Sequence, residues 1–470
     1  MDEGLYAYGG WRMLHGMVLY RDLYDFKPPG TYFLDALIFR VAGPDAVNLY
    51  VAAALAGALA AAAVYVTARD LWDRRTALLS GVLFAFFSPS VFIQGGGLNT
   101  EIWMIVPLTW SLYFLCRAVS AGTLRDYVAA GLLIGLASLF KQVAAAALLA
   151  GVCGVYWHLR GSAPGRHRSS ALAAGLLGGF LLPWVATAAY FARVGVLREF
   201  LFWVFEYPFL YMAFSQRVID WVAARRRLGW NLSGLMMLWL FSAAAVAAAV
   251  IQRPGLKEKV LWVFCISSGV GVIAGWNFFP HYFIQMVPAL SLLAARGIVA
   301  LYEVSFRTRS KVAGGVLVAA LVVSGGVFAL NHHAVYTRYS GEEISTKEAS
   351  LGFFGFPAFA LGRSVGLDLR NLTGPRDRVF VWKDHAEISF YGLRETPTRM
   401  PIAALPFTPV EGILLEDIEK GKPEFIVVFN RVAVFNFEPF MEILRKEYVK
   451  ILNIHGLPFA EQGIYRRKTP

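Results

Sequence analysis

The chain has 470 residues, 57% of them hydrophobic and only 16% charged, with a mean hydropathy of +0.52 and a formal net charge of +12. A soluble globular chain carries about 25% charged residues, so the composition excludes an ordinary water-soluble protein and indicates an integral membrane protein. The basic balance does not point to nucleic acid, because Lys and Arg lie largely in short loops between apolar runs, where they set topology and meet lipid headgroups.

No cleavable signal peptide is visible at residues 1–30, where charges and prolines interrupt the sequence. Residues 31–43 are apolar but short, which predicts a juxtamembrane helix. A membrane helix needs roughly 20 mostly apolar residues. Such runs near 46–68, 76–93, 101–119, 126–141, 142–158, 171–193, 233–251, 259–275, 281–302 and 311–330 predict about ten spans. The Ala-rich stretches 51–66 and 243–250 suit close helix packing in lipid. Cys116, Cys153 and Cys265 lie in or at the ends of apolar segments, without metal or disulfide spacing, and read as packing residues.

Basic residues follow alternate spans: Arg69, Arg74 and Arg75, then Arg117 and Arg125, Arg160, Arg166 and Arg168, Arg253, Lys257 and Lys259, and Arg307, Arg309 and Lys311. That side is expected to be cytoplasmic. The other side then holds residues 1–45, the 95–101 loop, a long 194–232 loop, the 276–281 turn and everything after 331. Arg225, Arg226 and Arg227 in the long loop run against the charge rule, which longer loops obey less well. After residue 331 charge rises and the apolar runs shorten. Strands are expected at 378–382, 424–429 and 448–454, and helices at 385–393, 409–420 and 438–448, giving a small α/β domain.

The polar groups on that outer side carry the chemistry. Asp2 and Glu3 suit a catalytic base or a metal ligand, and equally the first turn of a helix. In the segment 19–30, Pro28 and Pro29 favour extended backbone, and Lys27 can bind a lipid phosphate or simply snorkel to headgroups. Asn99-Thr100-Glu101 follows three glycines at a helix start, where Glu101 is either a helix-end acid or a partner in acid–base work. Lys141 reads as an interfacial lysine. In the 276–285 turn, His281, Tyr282 and Gln285 enter a span, and polar groups there usually face a cavity. Lys383-Asp384-His385-Ala386-Glu387 could imitate a metal site, but His385 and Glu387 at i and i+2 do not share a helix face, so a structural role is expected. No phosphate-binding loop of the Walker or dinucleotide type is present.

In their order, Asp2-Glu3-Gly4, Tyr20-Arg21-Asp22, Lys27-Pro28-Pro29-Gly30, Asn99-Thr100-Glu101 and His281-Tyr282-Phe283 with Gln285 and Pro288 resemble the bacterial dolichyl-phosphate-mannose protein mannosyltransferases. These are C-type (GT-C) membrane glycosyltransferases of glycosyltransferase family 39, related to the lipid A aminoarabinose transferases. The likeness covers roughly residues 1–330, and 378–382 resembles the outer tail of many such proteins.

The resemblance implies an all-α polytopic membrane protein of GT-C fold with a small C-terminal α/β extracytoplasmic domain. Residues 1–45 would form an outer catalytic loop with juxtamembrane helices, 46–330 the transmembrane glycosyltransferase domain and 331–470 the extracytoplasmic domain. It also implies a plasma (inner) membrane enzyme moving a mannose-like hexose or aminoarabinose-like pentose from a polyprenyl-phosphate donor. The acceptor is a lipid, glycan or protein outside the cytoplasm. Asp2 would be the general base, Glu3 its support and Glu101 a further acid of the site, with Lys27, His281 and Tyr282 on the donor lipid phosphate. No cofactor is implied with certainty, and the need for a divalent cation stays open. The family pattern has a helix before the first outer loop, so a first span is expected upstream of Met1. The rival reading is a transporter or flippase for a lipid-linked sugar, which would place polar residues at mid-membrane, in broken helices or repeated halves. Here they gather at one face.

Overall fold

The computed structural model describes residues 2–161, 166–217, 220–274, 276–309, 311–340, 356–382, 385–400, 410–429, 438–454 and 462–468. The chain divides into two compact units. One comprises Met1–Leu49, Phe191–Phe214 and Arg338–Pro470, the other Tyr50–Tyr190 and Ser215–Thr337.

The second unit is helical. Among the described residues, Ala46–Leu71, Thr100–Ala121, Gln142–Arg160, Ser170–Arg193 and Pro280–Phe306 are long and apolar enough to cross a membrane. A sixth span results if Trp221–Gly234 and Met236–Ala249, bent by 72°, count as one. Each of the ten predicted apolar segments falls on helix, but several are shorter or broken. The 76–93 segment ends its helix at Phe87, where Ser88-Pro89 stops propagation and a single 3-10 turn, Val91–Ile93, follows. The 126–141 helix stops at Ser138, and the next segment opens with 3-10 turns over Gln142–Ala147. The 194–232 region, expected as a loop, is largely helical, with Leu197–Leu201, a π turn at Phe202–Glu206, Tyr207–Arg217 and Trp221–Gly234.

Exposure fits a lipid environment. Val51, Leu55 and Leu59, one helical turn apart, are 57%, 63% and 54% exposed, whereas Ala60 and Ala63 of the same helix are fully buried. Small residues bring backbones together, as expected where lipid supplies no hydrophobic drive between helices. A Cβ on Gly131 would lie 2.0 Å from the Leu176 carbonyl oxygen, and one on Gly135 2.4 Å from that of Phe180. The facing helix answers with Gly179, whose Cβ would lie 2.3 Å from the Val128 oxygen.

The first unit combines helices Asp2–Met13 and Gly30–Ala42 with an α/β fold. Its sheet has strands β1 (Val379–Trp382), β2 (Phe425–Val428), β3 (Tyr448–Asn453) and β4 (Gly463–Arg467) in the order β1-β2-β4-β3. β1 pairs parallel with β2, and β4 runs antiparallel to both its neighbours. Every residue of β1 and β2 is buried, as continuous apolar runs require when both sheet faces are covered. Trp382 stacks on Phe440 of helix Glu438–Glu447 at 3.7 Å between ring centroids. The sequence expectation missed β4 and helix Phe356–Leu372.

Candidate functional site

Within the second unit, four residues singled out in the sequence meet. Glu101 stands in the first turn of Thr100–Ala121 and is 1% exposed. Its Oε1 accepts from the Lys141 ammonium, and its Oε2 accepts from the Thr100 hydroxyl at 3.0 Å. Lys141 leaves the preceding helix in extended conformation, φ −155°, which turns its side chain away from that helix axis toward Glu101. The same ammonium lies 3.9 Å from the Tyr282 ring centroid. Lys141 is therefore engaged, not a plain interfacial lysine: a buried carboxylate and a ring quadrupole both hold its charge.

His281 and Tyr282 lie in the 3-10 segment Pro280–Met286. The His281 Nε2 is 4.0 Å from Glu101 Oε1, and its Nδ1 is 3.1 Å from Gln94 Oε1. Gln94 reaches this position from a left-handed backbone, φ +53°, after the Val91–Ile93 turn. The His281 ring stacks on Phe279, and the Arg227 guanidinium covers the other partner of that stack at 4.5 Å from the Phe279 centroid. Arg227 also donates to the Asn277 carbonyl at 3.2 Å. Gln285 is buried, with its amide where a Cβ on Gly271 would be, 2.8 Å from its Oε1. Cationic groups thus converge on a small cluster whose one carboxylate is committed to Lys141. The sequence reading missed Gln94 and Arg227; the signal available for Arg227 was its place in a basic run on the side expected to lack one.

Within the first unit, Asp2 opens the helix Asp2–Met13 and Glu3 is half-buried in its first turn. Lys27 holds its ammonium 4.7 Å from the Phe26 ring centroid and 5.8 Å from that of Tyr6, one turn along the helix from Asp2. The loop that presents Lys27 is pinned by buried tyrosines. Tyr20 donates to the Lys27 carbonyl, and Tyr32 donates to Asp25 Oδ2, both at 2.8 Å. Burial raises the hydroxyls of Tyr20 and Tyr32 well above the usual range, and the Asp25 charge adds to this, so both stay protonated donors. Pro29 takes helical angles, φ −78° and ψ −4°, at the N-cap of Gly30–Ala42, so it feeds a helix where extended backbone was expected. In the same helix Asp35 is buried with Oδ1 unpartnered, and burial pushes its carboxyl well above the normal range.

His385 and Glu387 prove to be hydrogen-bonded at 2.8 Å despite their i, i+2 spacing. His385 is the N-cap, φ −128°, so its side chain need not follow the helical period. Lys383 and Asp384, considered with them, lie outside the described residues. Among the described residues no group of three or more His, Cys, Asp or Glu could hold a metal ion.

Residues 26–190 match the family model of dolichyl-phosphate-mannose-protein mannosyltransferase. No curated protein sequence matches the chain significantly. The fold is similar to that of ArnT from Cupriavidus metallidurans bound to undecaprenyl phosphate, at TM-score 0.58 and 14% identity, covering 99% of this chain and 93% of that one. The apo ArnT structure matches at TM-score 0.51 and 14% identity, covering 98% and 92%. The apo oligosaccharyltransferase of Archaeoglobus fulgidus matches at TM-score 0.50 and 16% identity, covering 91% of this chain, which spans 65% of the length of that enzyme.

Proposed function

We propose that this chain, a multi-pass membrane protein with the GT-C glycosyltransferase fold, transfers a sugar from a polyprenyl phosphate to an acceptor hydroxyl outside the cytoplasm. In such a transfer the bond from the sugar C1 to the phosphate oxygen breaks and the acceptor oxygen bonds to C1. The hydroxyl proton goes to a base, and charge develops on the departing lipid phosphate. Asp2 is the base and Glu3 its support. Lys27 receives the phosphate charge. The second unit has its own cationic cluster, in which Glu101 holds Lys141 beside Tyr282 and His281 in an arrangement suited to a phosphate oxygen.

Lys27 carries the proposal. Its ammonium lies 5.8 Å from the ring of Tyr6, one turn after Asp2 in the helix that Asp2 opens, so the proposed base and the proposed phosphate cation belong to one unit. A polyprenyl phosphate is also what the similar ArnT structure holds. The sugar is a mannose-like hexose or an aminoarabinose-like pentose, the membrane is the plasma (inner) membrane, and the α/β region lies on its outer side.

The test is sugar transfer in membranes of cells expressing the chain, with labelled polyprenyl-phosphate sugars, wild type beside Asp2→Ala. Loss of product in the variant, with donor binding retained, supports the assignment. Equal product in both refutes Asp2 as base. A transporter reading would rest on the 72° break between Trp221–Gly234 and Met236–Ala249. Movement of the lipid-linked sugar across the bilayer without any glycosidic product would establish it instead.

A further inference from the structure

The first unit contains a cavity of 440 Å³ that takes no part in the site described above. It lies where the end of the first helix and the turn after it, through Arg12 and His15, meet the α/β fold, through Arg378, Thr396, Arg399 and Lys420. The volume is in the range of small-molecule sites, roughly 300–1,000 Å³, and larger than a single ion needs.

Its lining is polar, and the charges do not cancel evenly. Four Lys or Arg residues line it against Asp22, Glu395 and Asp417. Each of these acids already has a cation. Arg12 bonds Glu395, Arg399 holds Asp417 at 2.9 Å, and Arg21 grips Asp22 with two bonds of 2.8 Å. Lys420 bonds the exposed Glu416. The Arg378 guanidinium makes no hydrogen bond among the described residues; only its backbone does, to Glu424 and Phe425. The hydroxyl of Thr396 is buried with no partner among the described residues, and its backbone N–H is taken by the Tyr8 hydroxyl.

What remains for a ligand is a planar guanidinium fork and an excess of positive charge, in a space the size of a sugar headgroup. Guanidinium forks match phosphate oxygens bidentately. We propose that this cavity binds the phosphate-bearing headgroup of a saccharide, with Arg378 on the phosphate. The proposal concerns binding alone and stands apart from the transfer chemistry.

The experiment is calorimetric titration of the full chain in nanodiscs with glucose 6-phosphate, with glucose as the uncharged control. Glucose 6-phosphate should bind and glucose should not. Arg378→Gln should weaken binding at least tenfold and Arg378→Lys, which keeps the charge without the fork, about fivefold, with unchanged melting midpoints, while Arg376→Gln, an exposed neighbour outside the lining, should leave it unchanged. If Arg378→Gln fails to fold, Arg378→Lys alone decides. No binding of glucose 6-phosphate, or equal affinity in the variants, overturns the proposal. An octyl glucoside 6-phosphate that binds tenfold tighter assigns the headgroup to a membrane glycolipid; equal affinity assigns it to a soluble sugar phosphate.

Discussion

Gly4 and Glu387 touch through their backbones: a Cβ on Gly4 would lie 2.5 Å from both the Cβ and the backbone nitrogen of Glu387. The first turn that carries Asp2 and Glu3 is thus seated on the N-terminal turn of the Ala386–Gly392 helix. Backbone cannot yield as a flexible side chain can, so overpacking here should cost about 1–3 kcal/mol. Gly4→Ala should lower the melting midpoint in detergent by several degrees and reduce sugar transfer. Gly57→Ala, at a helical glycine with nothing within 4 Å of its Cβ position, is the control and should be neutral or stabilising. Equal midpoints for the two variants would contradict the contact.

Lys27 should matter through its charge. Removing a donor aimed at developing charge costs about 10²–10³ in turnover. Lys27→Gln should lower kcat of transfer by that order, and Lys27→Arg should recover part of it, since the cation returns on a different geometry. Full activity in Lys27→Gln would remove the residue from the phosphate.

The Glu101–Lys141 pair predicts strong coupling. Both side chains are largely buried, at 1% and 13% exposure, so either single replacement strands the other charge at about 3–5 kcal/mol. Glu101→Gln and Lys141→Gln should each lower the thermal inactivation midpoint sharply. The double variant should lose clearly less than the sum. Additive losses would mean that the two groups do not sense each other.

Asp35 predicts a pH trend. Its native carboxyl titrates well above the ordinary value because burial disfavours the charged form. A raised native pKa means the stabilising contribution is complete below the unfolded value, about 4, and declines as pH rises through the native pKa. The melting midpoint of Asp35→Asn minus that of wild type should therefore grow as pH is raised from 4 to 8. A difference that stays constant over this range would show that Asp35 is solvated in the folded protein.

Much of the fold was readable because apolar runs are strong signals. The runs at 379–382 and 425–428 announced buried strands, and the long Ala- and Leu-rich stretches announced helices. β4 escaped because Gly463–Arg467 offers one fully buried aliphatic residue and two arginines, and it is a strand only through pairing with β2 and β3. In the site, Glu101, Lys141, His281 and Tyr282 could be picked as polar groups at helix ends, but their mutual contacts could not. Those depend on the extended backbone at Lys141 and the left-handed one at Gln94, which tertiary packing imposes. Asp25 and Asp35 passed unnoticed because nothing local distinguishes a buried aspartate from an exposed one.

The first unit is assembled from three stretches far apart in the chain, and Arg12 meets Glu395 across 383 positions. Ribosomal synthesis at about 5–20 residues per second separates those two by roughly 20–80 seconds. During that interval the first helix has no α/β fold to pack on, and Gly4 has no Glu387 beneath it. The interior of the unit can close only once the last strands have emerged, so any base carried at its first turn is built early and completed late. A lesion that halts translation before β2 leaves the helices of the first unit without the sheet that completes it.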